Sequence, residues 1–241
     1  MPSLLSLPSK IIDTIWHYRP TLSTEQLVLW AVVIFSVFYN IPFWQQALAG
    51  YDLLATQTWL TFASMFLIMT CLHYLVFIIL AFRPLVKPLL TLLFLIAAFV
   101  SYFTSEYGTY FDTAMLDNVL QTDTKEAREL LTAGLLVHLA IFFGLPTFII
   151  WRVNITPSSW MKAILRRLAY CFASTAILLI AIVLSYQEVS SLMRNHKEVR
   201  YLVTPGNYIV SMVQALSSQH ATANTVRSPV GEDAHISSQA D

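Results

Sequence analysis

The fold class this sequence predicts is an all-α integral membrane protein, with five transmembrane helices and amphipathic helices at the membrane surface. Three observations carry that expectation. Of 241 residues, 56% are hydrophobic and only 12% charged, against roughly a quarter charged in soluble domains. Mean hydropathy is +0.62. The apolar residues also fall in long runs, and a helix needs about 20 of them to cross a bilayer. The formal net charge is zero, which excludes nucleic-acid binding by bulk electrostatics. Cys71 and Cys171 both lie inside apolar runs, so neither a disulfide framework nor a Cys-x-x-Cys metal site is supported.

Taken in order, the chain opens with MPSLLSLPSKIIDTIWHYRP. It lacks a basic start and a small-residue cleavage site, so it does not read as a signal peptide. Leu4, Leu7, Ile11, Ile12, Ile15 and Trp16 instead suggest an amphipathic helix lying at the interface. A first span is expected over 27–44, with Thr24 as its cap. A second follows over 54–82, closed by the basic turn Arg83-Pro84 and Lys87-Pro88. A third covers 89–104 and ends in Tyr102, Phe103 and Tyr107, an aromatic belt of the kind found at membrane boundaries.

A fourth span is expected over 130–153, kinked near Gly144 and Pro146. The segment 154–167 reads as a basic connection, and a fifth span runs over 168–186. Beyond it, Arg194, His196, Lys197 and Arg200 cluster near the membrane exit. Asn207 can cap a second interfacial helix whose Ile209, Met212, Val213 and Leu216 share one face. From Ser217 to Asp241 the composition turns to Ser, Ala, Gln, Asn and Thr and reads as a flexible linker or tail. The expected division is thus a transmembrane domain over 1–216 and a linker over 217–241.

Basic residues set the orientation. Lys10, Arg19, Arg83, Lys87, Arg152, Lys162, Arg166 and Arg167 fall on one side, which the positive-inside rule places in the cytoplasm. With five spans, the N-terminus is cytoplasmic and the C-terminus outside.

The long polar interval Tyr107–Glu129, between spans three and four, then lies on the outer side. It gathers Asp112, Asp117, Asp123, Glu126 and Glu129 with Asn118, Gln121 and several threonines. Asn118, Thr122 and Glu126 recur at every fourth residue. Two readings stand side by side. In one, Asp112 or Thr113 caps a short surface helix carrying Asn118 as a solvated residue, and Asp123 to Glu126 forms a capping box for the fourth span. In the other, a carboxylate pairs with a cationic head-group amine while Asn and Thr hold phosphate oxygens. The basic cluster has a parallel pair of readings, as lipid-phosphate ligands or as ordinary snorkelling side chains. His73 and His138, inside spans, read as neutral side chains bonded to a neighbouring helix rather than as a proton relay, since no intramembrane acid partners them.

The segment SYFTSEYGTYFDTAMLDNVLQTDTKEARELL resembles the signature of the lipid A phosphoethanolamine transferases, which include the mobile colistin-resistance enzymes. FRPLVKPLL to LIAAFVSYF and SLMRNHKEVRYLVTPGNYI are similar to the same family, and the resemblance spans about Leu27 to Leu216. It implies a five-span membrane domain of a transferase that moves phosphoethanolamine from phosphatidylethanolamine to lipid A at the bacterial inner membrane, a reaction tied to polymyxin resistance. It also implies that Asn118, Thr122 and Glu126 hold the donor head group, and it favours the binding reading of those three. In the family, a zinc-activated threonine does the chemistry in a periplasmic sulfatase-like domain after the linker. That domain is expected to be missing from this chain, whose six histidines show no ligand spacing. No catalytic residue, metal site or cofactor is therefore expected here, zinc belonging to the missing domain, and turnover by this chain alone is not expected. The expected partners are membrane lipids, phosphatidylethanolamine and lipid A. The alternative is a non-enzymatic multi-pass scaffold or regulator using the same fold.

Overall fold

The structure is a computed structural model describing residues 19–49, 51–52, 54–108, 115–116, 118–119, 122–195 and 202–223. The amphipathic segment expected at the N-terminus lies outside these residues. The architecture is the expected all-α membrane bundle. Among the described residues, four helices are long and apolar enough to cross a bilayer, five when one bent pair is counted as a single span.

Helix α1 (Thr24–Ile34) starts at Ser23, not at Thr24 as the sequence suggested. The Ser23 hydroxyl accepts from the Gln26 amide, and the Gln26 side chain accepts from the Ser23 amide. This reciprocal pair satisfies two donors that a helix start otherwise leaves open. The helix widens into a π-turn at Phe35–Tyr39 and breaks at Asn40, where α2 (Ile41–Leu48) leaves at 58°. The expected continuous span over 27–44 is therefore interrupted. Pro42 sits in the first turn of α2, the position where its missing N–H does least harm. The fully buried Asn40 side chain donates to the carbonyls of Phe35 and Thr204 and accepts from the Thr204 amide.

Helices α3 (Thr56–Leu80) and α4 (Val86–Tyr107) form an antiparallel pair joined by the basic turn. At 1.5 Å per residue each is over 30 Å long, enough to cross. Helix α4 begins three residues before the expected Leu89 because Pro88 is tolerated in a first turn. It ends at Gly108, whose φ of 64° is the left-handed cap that glycine adopts without strain.

The six-residue α5 (Thr124–Glu129) precedes the fourth span. That span is α6 (Ala133–Leu139), a π-turn at Ala140–Gly144, and α7 (Leu145–Arg152). It starts at Ala133, not Leu130, because Thr132 caps it by accepting from the Leu135 amide. In place of a simple kink, the wide turn accommodates Pro146. In an α-helix the Phe142 carbonyl would accept from residue 146, and proline has no hydrogen to give. The Tyr39 hydroxyl, from the first span's own π-turn, donates to that carbonyl instead.

Two short strands, β1 (Thr21–Leu22) and β2 (Asn154–Ile155), pair in parallel and fix the entry of the first span beside the exit of the fourth. Helix α8 (Trp160–Asn195) is far longer than the expected 168–186. Its first turns carry Lys162, Arg166 and Arg167, which had suggested a connection. The Lys162 side chain is exposed, which a helix end at the interface tolerates, while Arg166 and Arg167 find partners inside the bundle, Arg166 on Glu25 and Arg167 on the Ala81 carbonyl. Backbone helicity lapses at Ser185, whose hydroxyl donates to the Ala181 carbonyl. The last described helix, α9 (Gly206–Ala223), follows a Thr204–Pro205 cis peptide. It runs past Ser217, so the change in composition there is not a structural boundary. Of the expected apolar stripe, Ile209 packs against the core and Met212 and Val213 are exposed, the Leu216 side chain lying outside the described residues; Asn207, Tyr208 and Ser211 are buried.

The core lies where α1, α3 and α4 meet. Phe35 stacks on Phe94 at 4.6 Å and meets Phe77 edge-on at 5.4 Å, with Tyr39 and Tyr74 packed around them. Helix α8 packs along α3, its most extensive helix–helix contact. Trp30, Ile79, Phe172 and Val183 are exposed on the outside of the spans, as lipid-facing residues must be for a bundle solvated by acyl chains.

Candidate functional site

The basic turn between α3 and α4 marks one end of the bundle, so the C-terminal end of α4 and the start of α6 mark the other. There, α4 presents Phe99, Phe103 and Tyr107, the last two stacked one helical turn apart at 5.7 Å. After Gly108 the chain enters the polar interval. Residues 118–119 are helical, Thr122 and Asp123 are not, and α5 then begins. The Asp123 carboxylate accepts from the Lys125 amide at 2.8 Å, capping α5 rather than the fourth span. The four-residue recurrence of Asn118, Thr122 and Glu126 is thus divided between two helical pieces with a turn between them.

That turn closes a cavity of about 600 Å³, within the size range of small-ligand sites. Phe99, Phe103, Met115, Val119, Leu130, Leu131 and Leu135 give it an apolar wall, and Tyr107, Asn118, Thr122 and Arg128 supply polar groups. The Thr122 hydroxyl donates to the Asn118 carbonyl at 2.8 Å, which fixes the turn and leaves the hydroxyl oxygen free to accept. Tyr102 and Thr132 share a hydrogen bond at 2.9 Å and link α4 to the start of α6.

Of the residues singled out from the sequence, Asn118 and Thr122 line this cavity together. Glu126 belongs to α5, and its side chain lies outside the described residues. Arg194 is exposed near the end of α8 and does not line the cavity. Lys197 and Arg200, with His196, lie outside the described residues, as do Asp112, Thr113 and Asp117. His138 meets a neighbouring helix as expected, its Nε2 lying 3.0 Å from the Ser101 hydroxyl. His73 is buried, and its Nδ1 has no hydrogen-bond partner among the described residues.

Arg128 is the residue that sequence reasoning passed over. A cation in the last turn of a helix is ordinarily explained by the helix dipole, and only the folded chain brings it to the cavity beside Asn118. Its presence among five carboxylates was the available clue. A guanidinium is a planar donor suited to phosphate oxygens, amide and hydroxyl groups add weaker donors, and the apolar wall suits hydrocarbon. The arrangement can therefore take an amphiphile with a phosphate-bearing head.

Comparison with known proteins agrees with the membrane architecture. The profile of the family described as phosphoethanolamine transferase EptA/EptB matches residues 69–220. The chain is 30% identical over 223 residues to phosphatidylethanolamine transferase Mcr-1 of Escherichia coli, covering 90% of this chain and 40% of that protein. It is 31% identical over 218 residues to phosphoethanolamine transferase EptA of Escherichia coli K12, with the same coverage. It superimposes with a TM-score of 0.77 on the integral membrane lipooligosaccharide phosphoethanolamine transferase A of Neisseria meningitidis, at 27% identity, over 86% of this chain and 38% of that one. The chain thus spans about 40% of the length of the curated relatives it matches. With more than half of its residues matched by the family profile and its bundle superimposed on a solved relative, this chain belongs to the EptA/EptB phosphoethanolamine transferase family.

Proposed function

We propose that this chain is the inner-membrane domain of a phosphoethanolamine transferase, and that its cavity receives the donor phosphatidylethanolamine. The single observation carrying this reading is the convergence of Asn118, Thr122 and Arg128 on an apolar-walled cavity at one end of the spans. In this reading Arg128 holds the donor phosphate and Asn118 and Thr122 orient it. Glu126, on the same short helix as Arg128, pairs with the ammonium. The acyl chains leave along Phe99, Phe103 and Leu135 toward the bilayer. The cavity then lies on the periplasmic side, the basic end is cytoplasmic, and the domain presents the lipid for transfer to lipid A. The chemistry of transfer belongs to the zinc-dependent portion of the family.

The test is donor retention by the purified chain in nanodiscs, read by native mass spectrometry with phosphatidylethanolamine and phosphatidylcholine. Asn118→Ala and Arg128→Ala should each lower phosphatidylethanolamine occupancy, Arg128→Ala by roughly tenfold for one charge-assisted bond. Unchanged occupancy in both variants would sink the assignment.

A further inference from the structure

A second cavity, of about 330 Å³, lies at the opposite end of the bundle. The first turn of α1 (Thr24, Glu25), the α3–α4 turn (Phe82, Arg83) and the start of α8 (Trp160, Arg166, Arg167) enclose it. Three guanidinium-bearing residues face one carboxylate. That carboxylate, Glu25, is 2% exposed and is held by Arg166 at 2.5 Å. Arg167 donates to the Ala81 carbonyl at the end of α3 and lies over the Phe82 ring at 5.2 Å, so its charge is positioned but not neutralised. Arg83 has no hydrogen-bond or ion-pair partner among the described residues. Two of the three cations are thus left without a counter-charge among the described residues.

We propose that this cavity binds the phosphate of an anionic phospholipid in the leaflet opposite the candidate donor site. A basic pocket between transmembrane helix ends is the setting in which anionic head groups are recognised. The positive-inside rule accounts for cations at this end of the bundle. It does not account for their meeting at a concave site whose one acid is already paired. A lipid, rather than a free anion, is favoured by the apolar rim. Phe82, Leu85 and Ile164 are exposed beside the cations, and Trp160, 87% exposed, stands at the boundary where tryptophan anchors in head groups. Arg166 plays the positioning part, with its charge met by Glu25. Arg83 and Arg167 make the phosphate contacts.

The experiment is native mass spectrometry of the purified chain titrated with phosphatidylglycerol, phosphatidylcholine or inorganic phosphate. Phosphatidylglycerol should be retained in preference to phosphatidylcholine, and millimolar inorganic phosphate should not displace it. Arg83→Gln, which removes an exposed and unpaired side chain, should weaken phosphatidylglycerol retention about fivefold, the effect of one basic residue near an anionic surface. Arg167→Lys, which keeps the charge and loses the planar fork, should weaken it as well. Lys162→Gln removes an exposed charge from the same helix end, outside the cavity, and should change it less than twofold. Equal loss in Lys162→Gln and Arg83→Gln would reduce the effect to bulk surface charge and overturn the site. So would full retention in Arg83→Gln, equal retention of phosphatidylcholine, or displacement by inorganic phosphate.

Discussion

The hydroxyl of Tyr39 meets the Phe142 carbonyl, and Pro146 is why that carbonyl needs an outside donor. This makes a prediction that a double-mutant cycle can decide. Tyr39→Phe keeps the ring and its contacts with Phe35, Phe94 and Phe142 and removes only the donor. A hydrogen bond lost from a buried acceptor costs about 1–3 kcal/mol in soluble proteins. Between transmembrane helices the measured average is nearer 0.6 and the maximum about 1.7. Because the Phe142 position is only part-buried, about 1 kcal/mol is the expected loss. Pro146→Ala restores an amide hydrogen one turn below Phe142. In that background the carbonyl has a partner within its own helix, and Tyr39→Phe should cost less than about 0.3 kcal/mol, the margin within which uncoupled substitutions add. Reversible unfolding of the four proteins in bicelles, followed by circular dichroism, gives the coupling directly. If Tyr39→Phe costs the same with and without proline, the carbonyl was not the reason for the tyrosine.

Other outcomes follow from the same geometry. Ser23→Ala removes the acceptor of the α1 capping box and should lower stability by about 1 kcal/mol, in the same unfolding assay. A side-chain carbon on Gly134 would come within 3.2 Å of the Tyr102 hydroxyl. Gly134→Ala is expected to be mild, since the end of the tyrosine can shift. Gly134→Val should cost about 1–3 kcal/mol by overpacking and lower phosphatidylethanolamine retention, because it disturbs the Tyr102–Thr132 link beside the cavity. Wild-type retention in Gly134→Val would show that this link does not shape the site.

The central spans were legible because their signal is local. Uninterrupted apolar runs bounded by Arg83-Pro84 mark the end of α3 to within two residues. The start of α8 was not, because Lys162, Arg166 and Arg167 resemble a loop until Arg166 is seen to reach Glu25 and Ser158, and Arg167 the Ala81 carbonyl. The break at Asn40 depends on Thr204, and no window on the sequence holds both. Ser217–Ala223 extends α9 although its polar residues carry no apolar period. At the candidate site, Asn118 and Thr122 stood out by type and spacing. Arg128 did not, because its significance comes from Phe99, Phe103 and Leu135, which meet it only once α4, α5 and α6 are in place.

The Asn40–Thr204 clamp has a consequence for the order of assembly. Its two partners are 164 residues apart. A ribosome feeding this chain into a membrane delivers Asn40, with α3, α4, the fourth span and α8 still unmade, long before Thr204 exists. During that time the bend between α1 and α2 holds a primary amide in the bundle interior with one carbonyl partner out of three. Closing the clamp therefore follows the synthesis of α8, and it locks the first crossing only after the others described here have been made. A chain halted before residue 204 would carry every crossing found among the described residues and still have an unfinished first one.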